Sequence, residues 1–352
     1  MADDFKYHID HHARLLPPPA LVEARATGVS EAELTAVEDA AISAALLEQR
    51  RLALLGLSDG EFRRPHRLSV VYGGIDGFGS RVDGGPFGEL LGPDEVGERR
   101  PLLDTPVAHG RLTKHETGYL LAGVQRSTML TLPSPGLVAA LGEASDEAAT
   151  ALAAVIRDEV AAVAADGIRY VLLTNPLYGH LLSVAGRARA AALGIDAGAV
   201  LRQMLAVDAQ VLDGLELGHQ EGAENFRIGL DLTTSGAVRG GYDDADLAWF
   251  VAEQPFGRLC VEHTAAAPFP LPLLVGGLVV SLGLVDVSHP EPENVDDVVA
   301  RVDAAAEVLD IDDIAISTNG AFFPGLGLTV AQQHTKLQTV EMAARYFWGN
   351  EL

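Results

Sequence analysis

Eight short runs of β-forming residues alternate with long helices rich in Ala and Leu, and this alternation constrains the fold more than any other feature. Strands that are separated by helices pair in parallel, because each helix returns the chain to the same end of the sheet. The pattern predicts one α/β domain over 1–352, a (β/α)8 TIM barrel, and such barrels reach this length. The predicted strands are Phe5–Ile9, Leu52–Ser58, Ser127–Leu132, Tyr170–Thr174, Phe226–Thr233, Arg258–His263, Leu278–Val287 and Ile314–Ser317.

Capping residues mark the ends of three predicted helices. A Ser or Thr before a helix satisfies a free backbone N–H of the first turn, and a Glu or Gln three residues later completes a capping box. A Gly after the last turn favours termination. The predicted helices are Leu34–Arg50 behind Ser30 and Glu33, Asp146–Asp166 between Ser145 and Gly167, and a last helix behind Thr329 and Gln332 that runs toward Trp348.

Residues 67–110 break the alternation of strands and helices. The segment is rich in Gly and Pro, and β-like sequences stand near its ends, SVVYGG at Ser69–Gly74 and TPVAHG at Thr105–Gly110. This composition predicts turns rather than a packed helix. We interpret the segment as an insertion between two barrel strands, either a hairpin that covers the barrel mouth or a plain surface loop.

Charge and cysteine content exclude several classes of partner and site. The formal net charge is −24, and a chain this acidic repels phosphate backbones and anionic lipid surfaces, so neither nucleic acid nor a membrane is an expected partner. The longest apolar stretch, Leu271–Val287, is interrupted by Pro, Gly and Asp and predicts a buried strand. The polar N-terminus does not predict a signal peptide, and Cys260 is the only cysteine. A cytoplasmic protein without an intrachain disulfide is expected.

Polar side chains follow the predicted strands, at the end of the barrel where enzymes of this fold place their chemistry. This rim is rich in carboxylates and imidazoles and suits a small polar substrate. We predict catalytic roles for Asp231, Glu262, Asp286 and His289, and substrate contacts for His11, Asp59, Glu61, Asn175, His263 and Asn319.

The predicted catalytic residues also have structural interpretations. Asp231 and Asp286 lie at the ends of apolar strands, where each is a candidate general base or a cap for nearby backbone N–H groups. Glu262 ends a strand in which an unpaired carboxylate would be costly. His289 is the candidate proton shuttle, because histidine titrates near neutral pH. His263 could equally be a hydrogen-bonded structural histidine.

The predicted substrate contacts have alternatives of the same kind. Asp59 and Glu61 share one turn, where two carboxylates can perform acid–base work or bind a cation. Ion pairs with the arginines that follow, such as Arg64, would instead support the loop. His11 and His12 follow the first run, and without a thiolate nearby they do not predict a metal site. Only His11 is assigned to substrate contact.

Five sequence segments occur in a recognisable order: HHARLLPPPAL from His11, SDGEFRR from Ser58, TLPSP from Thr131, LVDVSHPEPENVDDVVARV from Leu284 and LTVAQQHTKLQTVEMAARYFWG from Leu328. Together they resemble the cobalamin-independent methionine synthase family and its short single-barrel relatives. The resemblance spans nearly the whole chain. It implies the barrel fold and methyl transfer from a folate to a thiol that a zinc ion activates.

The resemblance also implies that most of the zinc site is missing. The family's ligands are usually a His-x-Cys pair, a Glu after the next strand and a late Cys. These positions fall at Asp231 and Thr233, at Glu262 and at Gly320, so Glu262 is the only retained ligand. The family's Asp-Glu-Pro, which holds a substrate amino group, falls at Asn175. Zinc is therefore not expected as a cofactor, and folate enters only through the resemblance.

These observations favour a divergent methionine-synthase-like enzyme that acts on a small polar molecule without a zinc–thiolate site. The reaction would be a methyl or alkyl transfer or a lyase reaction. One alternative is a non-catalytic homologue that binds a ligand in the same pocket. Another is a metal enzyme with a new oxygen-rich ligand set of Asp231, Glu262 and a histidine, which would favour a harder metal. The apolar C-terminus is compatible with an oligomer but does not predict one.

Overall fold

The computed structural model describes residues 8–54, 56–92, 97–124, 127–215, 226–274 and 277–349, and its strands form a two-stranded and a six-stranded sheet. The strands are β1 (Ile75–Phe78), β2 (Leu102–Ala108), β3 (Met129–Pro133), β4 (Tyr170–Thr174), β5 (Arg227–Asp231), β6 (Arg258–Glu262), β7 (Val279–Val285) and β8 (Ile314–Thr318).

The six-stranded sheet is parallel throughout and keeps the chain order from β3 to β8. Its register aligns the carboxyl ends of neighbouring strands, since Pro133 pairs with Thr174 and Thr174 pairs with Asp231. Nearly every residue of these strands is buried, as expected for parallel strands covered on both faces. The predicted parallel α/β arrangement is therefore confirmed, and the residues that follow the strands share one edge of the sheet.

Each outer strand of this sheet has one further parallel neighbour. Ile9 forms a bridge with Ile316 of β8, and Leu57 forms a bridge with Thr128, directly before β3. The first two of the eight predicted strands, Phe5–Ile9 and Leu52–Ser58, are thus represented by single bridges in the described part of the chain. Most of Phe5–Ile9 lies in residues 1–7, outside that part. The six-stranded sheet is observed, and closure into an eight-stranded barrel stays a prediction.

α-Helices lie in four of the five connections of the six-stranded sheet, and the described part of the β6–β7 connection contains only the 3-10 turn Leu271–Leu273. The α-helices are α1 (Pro19–Thr27), α2 (Glu31–Arg51), α3 (Ser69–Gly74), α4 (Gly85–Leu91), α5 (Lys114–Gly123), α6 (Pro135–Gly142), α7 (Asp146–Asp166), α8 (Pro176–Leu182), α9 (Val184–Ala192), α10 (Ala197–Ala209), α11 (Asp244–Glu253), α12 (Val295–Ala306) and α13 (Val330–Trp348).

The predicted caps are present. Complete capping boxes open α2 and α13, and a serine hydroxyl caps α7, whose last turn is closed by a left-handed glycine. Helix α2 extends to Arg51, and Leu52 and Ala53 form the turn that follows it. Ala53 has a left-handed φ of 52°. For this reason the second predicted strand is reduced to the bridge at Leu57.

The 67–110 excursion contains an antiparallel hairpin of β1 and β2. Its SVVYGG sequence, predicted to be β-like, forms α3 instead. The backbone N–H groups of Val71 and Tyr72 donate to the carbonyl of Leu68, and all three side chains are buried. Packing therefore overrides the β-propensity of the valines and the tyrosine. The N–H of Thr113, just behind the hairpin, donates to Glu159 of α7 at 3.0 Å.

The two faces of the parallel sheet contribute to separate apolar clusters. Val171 and Leu173 belong to the large cluster that the helices share, while Tyr170 and Leu172 pack with Cys260 in a smaller one. Since side chains alternate along a strand, Glu262 shares a face with Cys260. In the described residues no single helix is long and apolar enough to cross a membrane, and only the bent pair of α9 with the helical turns from Ala197 to Leu212 passes that test jointly.

Candidate active site

Four predicted site residues follow consecutive strands of the parallel sheet. Asp231 and Glu262 are the last residues of β5 and β6, while Asp286 and Asn319 stand directly behind β7 and β8. The carboxyl ends of parallel strands lie at one edge, which in folds of this kind is the edge that carries ligands. These four residues therefore share one edge of the sheet, and the structure shows which of them are in contact.

Asn319 joins Glu262 to Asp286. Its Nδ2 lies 3.1 Å from Asp286 Oδ1 and 3.4 Å from Glu262 Oε2. Thr234 donates to Glu262 Oε1 through its backbone N–H at 2.6 Å and through its hydroxyl at 2.5 Å. Burial raises the pKa of Glu262 to about 7, although the bonds from Thr234 oppose this rise. Glu262 is thus a carboxyl that changes protonation state near neutral pH, as general acid–base chemistry requires.

Asp286 is held as a carboxylate by the loop behind β7. Burial alone would raise the pKa of Asp286, but hydrogen bonds from the hydroxyl and the backbone N–H of Ser288 lower it. The backbone N–H of Asp286 donates to Glu293 Oε1 at 2.7 Å, and Arg239 Nη2 lies 3.8 Å from Asp286 Oδ2. These contacts favour the capping interpretation of Asp286 over a role as the general base.

A buried lysine supports the same loop. Lys336 of α13 is fully buried, and its Nζ lies 3.2 and 3.1 Å from the two carboxylate oxygens of Glu293. The predicted proton shuttle His289 stands at the edge of this group, with Nδ1 3.5 Å from Lys336 Nζ and Nε2 3.9 Å from Asp286 Oδ2. Its side chain is 40% exposed, so the ring of His289 is accessible to solvent or to a ligand. Sequence reasoning missed Lys336, because nothing in the sequence marks its burial.

His12 pairs with Asp231. Its Nδ1 lies 2.8 Å from Asp231 Oδ2, and its Nε2 lies 2.9 Å from the carbonyl oxygen of Thr318. Both partners only accept hydrogen bonds, so both ring nitrogens donate and the ring is an imidazolium. Burial would lower the pKa of His12, but the charge of Asp231 raises it, and His12 in turn lowers the pKa of Asp231 against the effect of burial. Thr233 donates twice to Asp231 Oδ1.

This pairing makes Asp231 a fixed carboxylate rather than a free general base. No role was predicted for His12, although it follows the predicted site residue His11 directly. The only sequence signal for the pair is that His12 and Asp231 both stand where a predicted strand ends. The partner could not be identified, because 219 positions separate the two residues.

Four positions correspond, by the resemblance, to the zinc ligands of the methionine synthase family, and in this structure all four make other contacts. Asp231, Thr233 and Glu262 take part in the hydrogen bonds described above. At Gly320, a Cβ atom would lie 2.6 Å from both Cα and N of Ser235, so there is no room for a cysteine side chain. Within the described ranges, no group of three or more His, Cys, Asp or Glu residues is arranged to hold a metal ion. The residues present therefore do not fit the family's zinc site.

A second carboxylate group lies in the SDGE turn. Asp59 and Glu61 are buried, and Asp59 Oδ1 accepts from the backbone N–H of Glu61 at 2.9 Å. The hydroxyl of Thr131 donates to Glu61 Oε1. Asp59 Oδ2 and Glu61 Oε2 have no hydrogen-bond partner among the described residues. Burial and then the negative charge of Glu116 raise the pKa of Asp59 to about 7. Buried acceptors without donors are the groups that a bound ligand would satisfy.

Arginines flank this turn, as the alternative interpretation of the sequence required. Arg64 makes a bidentate pair with Glu116, with Nε to Oε1 at 2.9 Å and Nη2 to Oε2 at 2.5 Å. Its Nη1 lies 3.6 Å from Glu61 Oε1, and Arg14 Nε lies 3.9 Å from Glu61 Oε2. Arg64 precedes the 67–110 excursion and Glu116 follows it, so the bidentate pair fixes the base of the excursion beside the turn.

Two predicted contact histidines are engaged in local structure. His11 Nε2 bonds to the carbonyl oxygen of Gly56, and His11 Nδ1 accepts from the backbone N–H of Ala13 at 3.2 Å. Burial lowers the pKa of His11. His263 Nδ1 accepts from the backbone N–H of Phe269 at 3.1 Å, and burial lowers the pKa of His263 to about 4. Both rings are therefore neutral imidazoles that form hydrogen bonds with the backbone. His263 behaves as the hydrogen-bonded structural histidine that was its alternative interpretation.

Asn175 caps a helix and belongs to a buried network behind the strand ends. Its Oδ1 accepts from the N–H of Leu177 at 3.2 Å, and its Nδ2 donates to the hydroxyl oxygen of Ser134 at 2.9 Å. The network is centred on Asp208, whose Oδ2 accepts from the hydroxyl of Tyr178 at 2.9 Å. Burial raises the pKa of Asp208 to about 6. The structure therefore gives Asn175 a structural contact, and its predicted contact with substrate stays a prediction.

A parallel α/β fold with carboxylates along the carboxyl edge of its sheet defines a class of protein in which enzymes are common. Within that class, the chain is similar to the solved structure of a putative vitamin-B12-independent methionine synthase from Listeria monocytogenes. The two share 18% identity and a TM-score of 0.74 over 97% of this chain and 98% of that one. The fold-level resemblance expected from the sequence motifs is therefore confirmed.

Two further solved structures share the fold. One is a B12-independent methionine synthase from a Shewanella species in complex with selenomethionine, at 13% identity and a TM-score of 0.75 over 98% of both chains. The other is a methyltransferase from Methanosarcina mazei, at 12% identity and a TM-score of 0.52 over 98% of this chain and 95% of that one. No protein-family model matches the sequence, and no curated protein matches it either.

Proposed function

We propose that this chain is a divergent enzyme of methionine-synthase-like fold that acts on a small polar molecule by methyl or alkyl transfer, or by a lyase reaction, without a zinc–thiolate site. The observation that carries the proposal is the pair of buried acceptors without donors, Asp59 Oδ2 and Glu61 Oε2. An unsatisfied buried polar atom costs on the order of 1–3 kcal/mol. A substrate amine, hydroxyl or amide that donates to these oxygens would offset that cost.

The protonation chemistry that such reactions need is available from two buried carboxyls. In a methyl or alkyl transfer the leaving group takes up a proton, and in a lyase reaction a base removes one. Glu262 and Asp59, each with a pKa of about 7, can donate or accept a proton near neutral pH. Asp286 and the Asp231–His12 pair are fixed charges that orient the groups around them. His289 lies at the exposed edge of the site, within reach of a ligand.

The solved structures guide the choice of substrate class. The Shewanella protein was solved in complex with selenomethionine, which carries both an amino group and an alkylated chalcogen. An ammonium group of that kind is a suitable donor for Asp59 and Glu61. We therefore propose an amino-acid-like substrate with an alkyl group on sulfur as the first compound to test, with a folate as its methyl-transfer partner by resemblance only.

Calorimetric titration with L-methionine tests the binding part of the proposal. We expect saturable binding that weakens on the order of tenfold or more when Asp59→Asn and Glu61→Gln are combined, because the ammonium group loses its carboxylate partners. The matched control is Glu23→Gln, the same change at an exposed carboxylate of α1. Equal binding by the double variant and the wild type would contradict the assignment of these oxygens to the substrate.

Isotope-labelled methionine separates an enzyme from a binder. NMR follows the labelled methyl group, which moves to a folate in a transfer reaction and leaves as methanethiol in a lyase reaction. Binding with no movement of the label would favour the alternative of a non-catalytic homologue. Turnover that requires an added divalent cation would favour the oxygen-rich metal enzyme, in which Asp231 would first have to release His12.

The setting of this site completes the proposal. The 67–110 excursion would border the opening, since its base is fixed beside Asp59 and Glu61 by the Arg64–Glu116 pair. We also propose a single cytoplasmic domain over 1–352 whose partner is the small-molecule substrate rather than nucleic acid or a membrane. The net charge of −24 supports this choice of partner.

A further inference from the structure

A cavity of about 590 Å³ lies between α2, α13 and residues 15–18, which precede α1. Its walls are mainly apolar and include Leu16, Ala41, Leu52, Phe62, Val330 and Leu337. Small-molecule sites typically enclose 300–1,000 Å³ between apolar walls, so the cavity has the size and the lining of a ligand site. None of the residues predicted to perform the chemistry lines it.

Most polar atoms of the wall already have hydrogen-bond partners within the protein. Gln49 exchanges two hydrogen bonds with the backbone of Ser58, with Nε2 to O at 2.8 Å and N to Oε1 at 2.9 Å. Gln333 Oε1 accepts from the backbone N–H of Leu16 at 2.6 Å. The hydroxyl of Thr335 donates to the carbonyl oxygen of Ala331 at 3.1 Å.

The two ionisable side chains of the wall, His334 and Glu48, pair with each other. His334 Nδ1 lies 2.9 Å from Glu48 Oε1, and both side chains reach the surface. A polar ligand would therefore compete with existing bonds at most of these atoms, whereas an apolar ligand loses nothing to competition. Apolar cavities hold water poorly, and they take up apolar molecules of matching size.

We propose that this cavity binds a small uncharged molecule of hydrocarbon character, aliphatic or aromatic, as a site separate from the candidate active site. The inference does not depend on the proposed function. Hydrocarbon surface would be transferred from water to the walls of α2 and α13, a favourable transfer that requires no polar partner. Phe62 of the wall directly follows Glu61, and Gln49 of the wall bonds to the backbone of Ser58, directly before Asp59. A bound molecule would therefore contact residues on both sides of the turn that carries Asp59 and Glu61.

Fluorescence titration of the full chain with Nile red, an uncharged apolar dye, tests the proposal. We expect saturable binding of one dye per chain and a higher melting temperature at saturation. Ala45→Phe places an aromatic ring in the cavity and should weaken dye binding on the order of tenfold or more. Ala36→Phe is the matched control, because it makes the same change at an exposed position of α2 that does not line the cavity.

The outcomes separate a ligand site from the other occupants of an apolar cleft. A folded Ala45→Phe that binds the dye as well as the wild type overturns the proposal, and so does the absence of saturable binding. A wild-type dimer that Ala45→Phe converts to monomer would assign the cleft to a second copy of the chain, which also overturns it. If Ala45→Phe fails to fold, Ala45→Leu occupies less of the cavity and should give an intermediate affinity.

Discussion

Asp59→Asn should stabilise the protein, and the gain should grow as the pH rises. Asp59 is 3% exposed, and burial together with the charge of Glu116 raises its pKa from 3.8 to about 7. The folded state therefore holds the proton of Asp59 more tightly than the unfolded state does. Stability that comes from this proton is fully present below pH 3.8 and is lost as the pH rises through about 7.

The size of the effect follows from the pKa difference. A difference of about three units corresponds to about 4 kcal/mol of unfolding free energy once both states are ionised, near pH 8. Near pH 5 the native carboxyl is still protonated, and less than half of that cost is present. Asparagine carries no charge, and its Oδ1 can keep the bond from the N–H of Glu61. The variant should therefore be more stable than the wild type by about 4 kcal/mol at the higher pH.

Urea unfolding of both proteins near pH 5 and near pH 8 measures this difference. Glu23→Gln serves as the control, since an exposed carboxylate should give nearly the same small effect at both values. A stability gap between Asp59→Asn and the wild type that stays constant, or that narrows as the pH rises, would refute the reasoning. Such a result would mean that Asp59 is ionised at low pH and that its Oδ2 has a partner.

Three further predictions test other parts of the site. Gly320→Ala should cost about 1–3 kcal/mol in urea unfolding, because its Cβ meets the backbone of Ser235, whereas Gly118→Ala in the open interior of α5 should not destabilise. Lys336→Met should lower the free energy of unfolding by on the order of 3 kcal/mol, because it leaves the carboxylate of Glu293 without its buried partner. Combining it with Glu293→Gln should recover part of the loss. His12 should show both ring protons by NMR near pH 7, and its stabilising effect should be present below pH 6.5 and fall as the pH rises through its raised pKa.

Much of the fold could be predicted because its signals are local. The capping boxes that open α2 and α13 consist of residues three positions apart, and six of the eight predicted strands are observed. The predictions failed where distant packing decides the structure. Ser69–Gly74 has a β-like sequence but forms a helix over buried side chains, and Leu52 is taken up by the end of a helix.

The candidate site could be located from the sequence, but its contacts could not. Strand ends identify Asp231, Glu262 and Asp286, because the edge of a parallel sheet depends only on the order of the elements. Which of them is free and which is paired depends on residues far along the chain. His12 decides this for Asp231, and Lys336 acts on Asp286 only through Glu293, which accepts from the backbone N–H of Asp286. Periodicity carries no signal for either contact.

The contacts at the positions that correspond by resemblance to the family's zinc ligands also explain why a single substitution would not create a metal site. Asp231 holds His12 as an imidazolium, so a histidine at 231 would remove the carboxylate that stabilises this buried charge. Gly320 is closed by the backbone of Ser235, so a cysteine there requires the segment behind β5 to move. Each of these residues is part of a contact that the others maintain, and their effects on stability should therefore not add. Chemistry in this chain is instead to be sought where polar atoms remain unsatisfied, at Asp59 and Glu61.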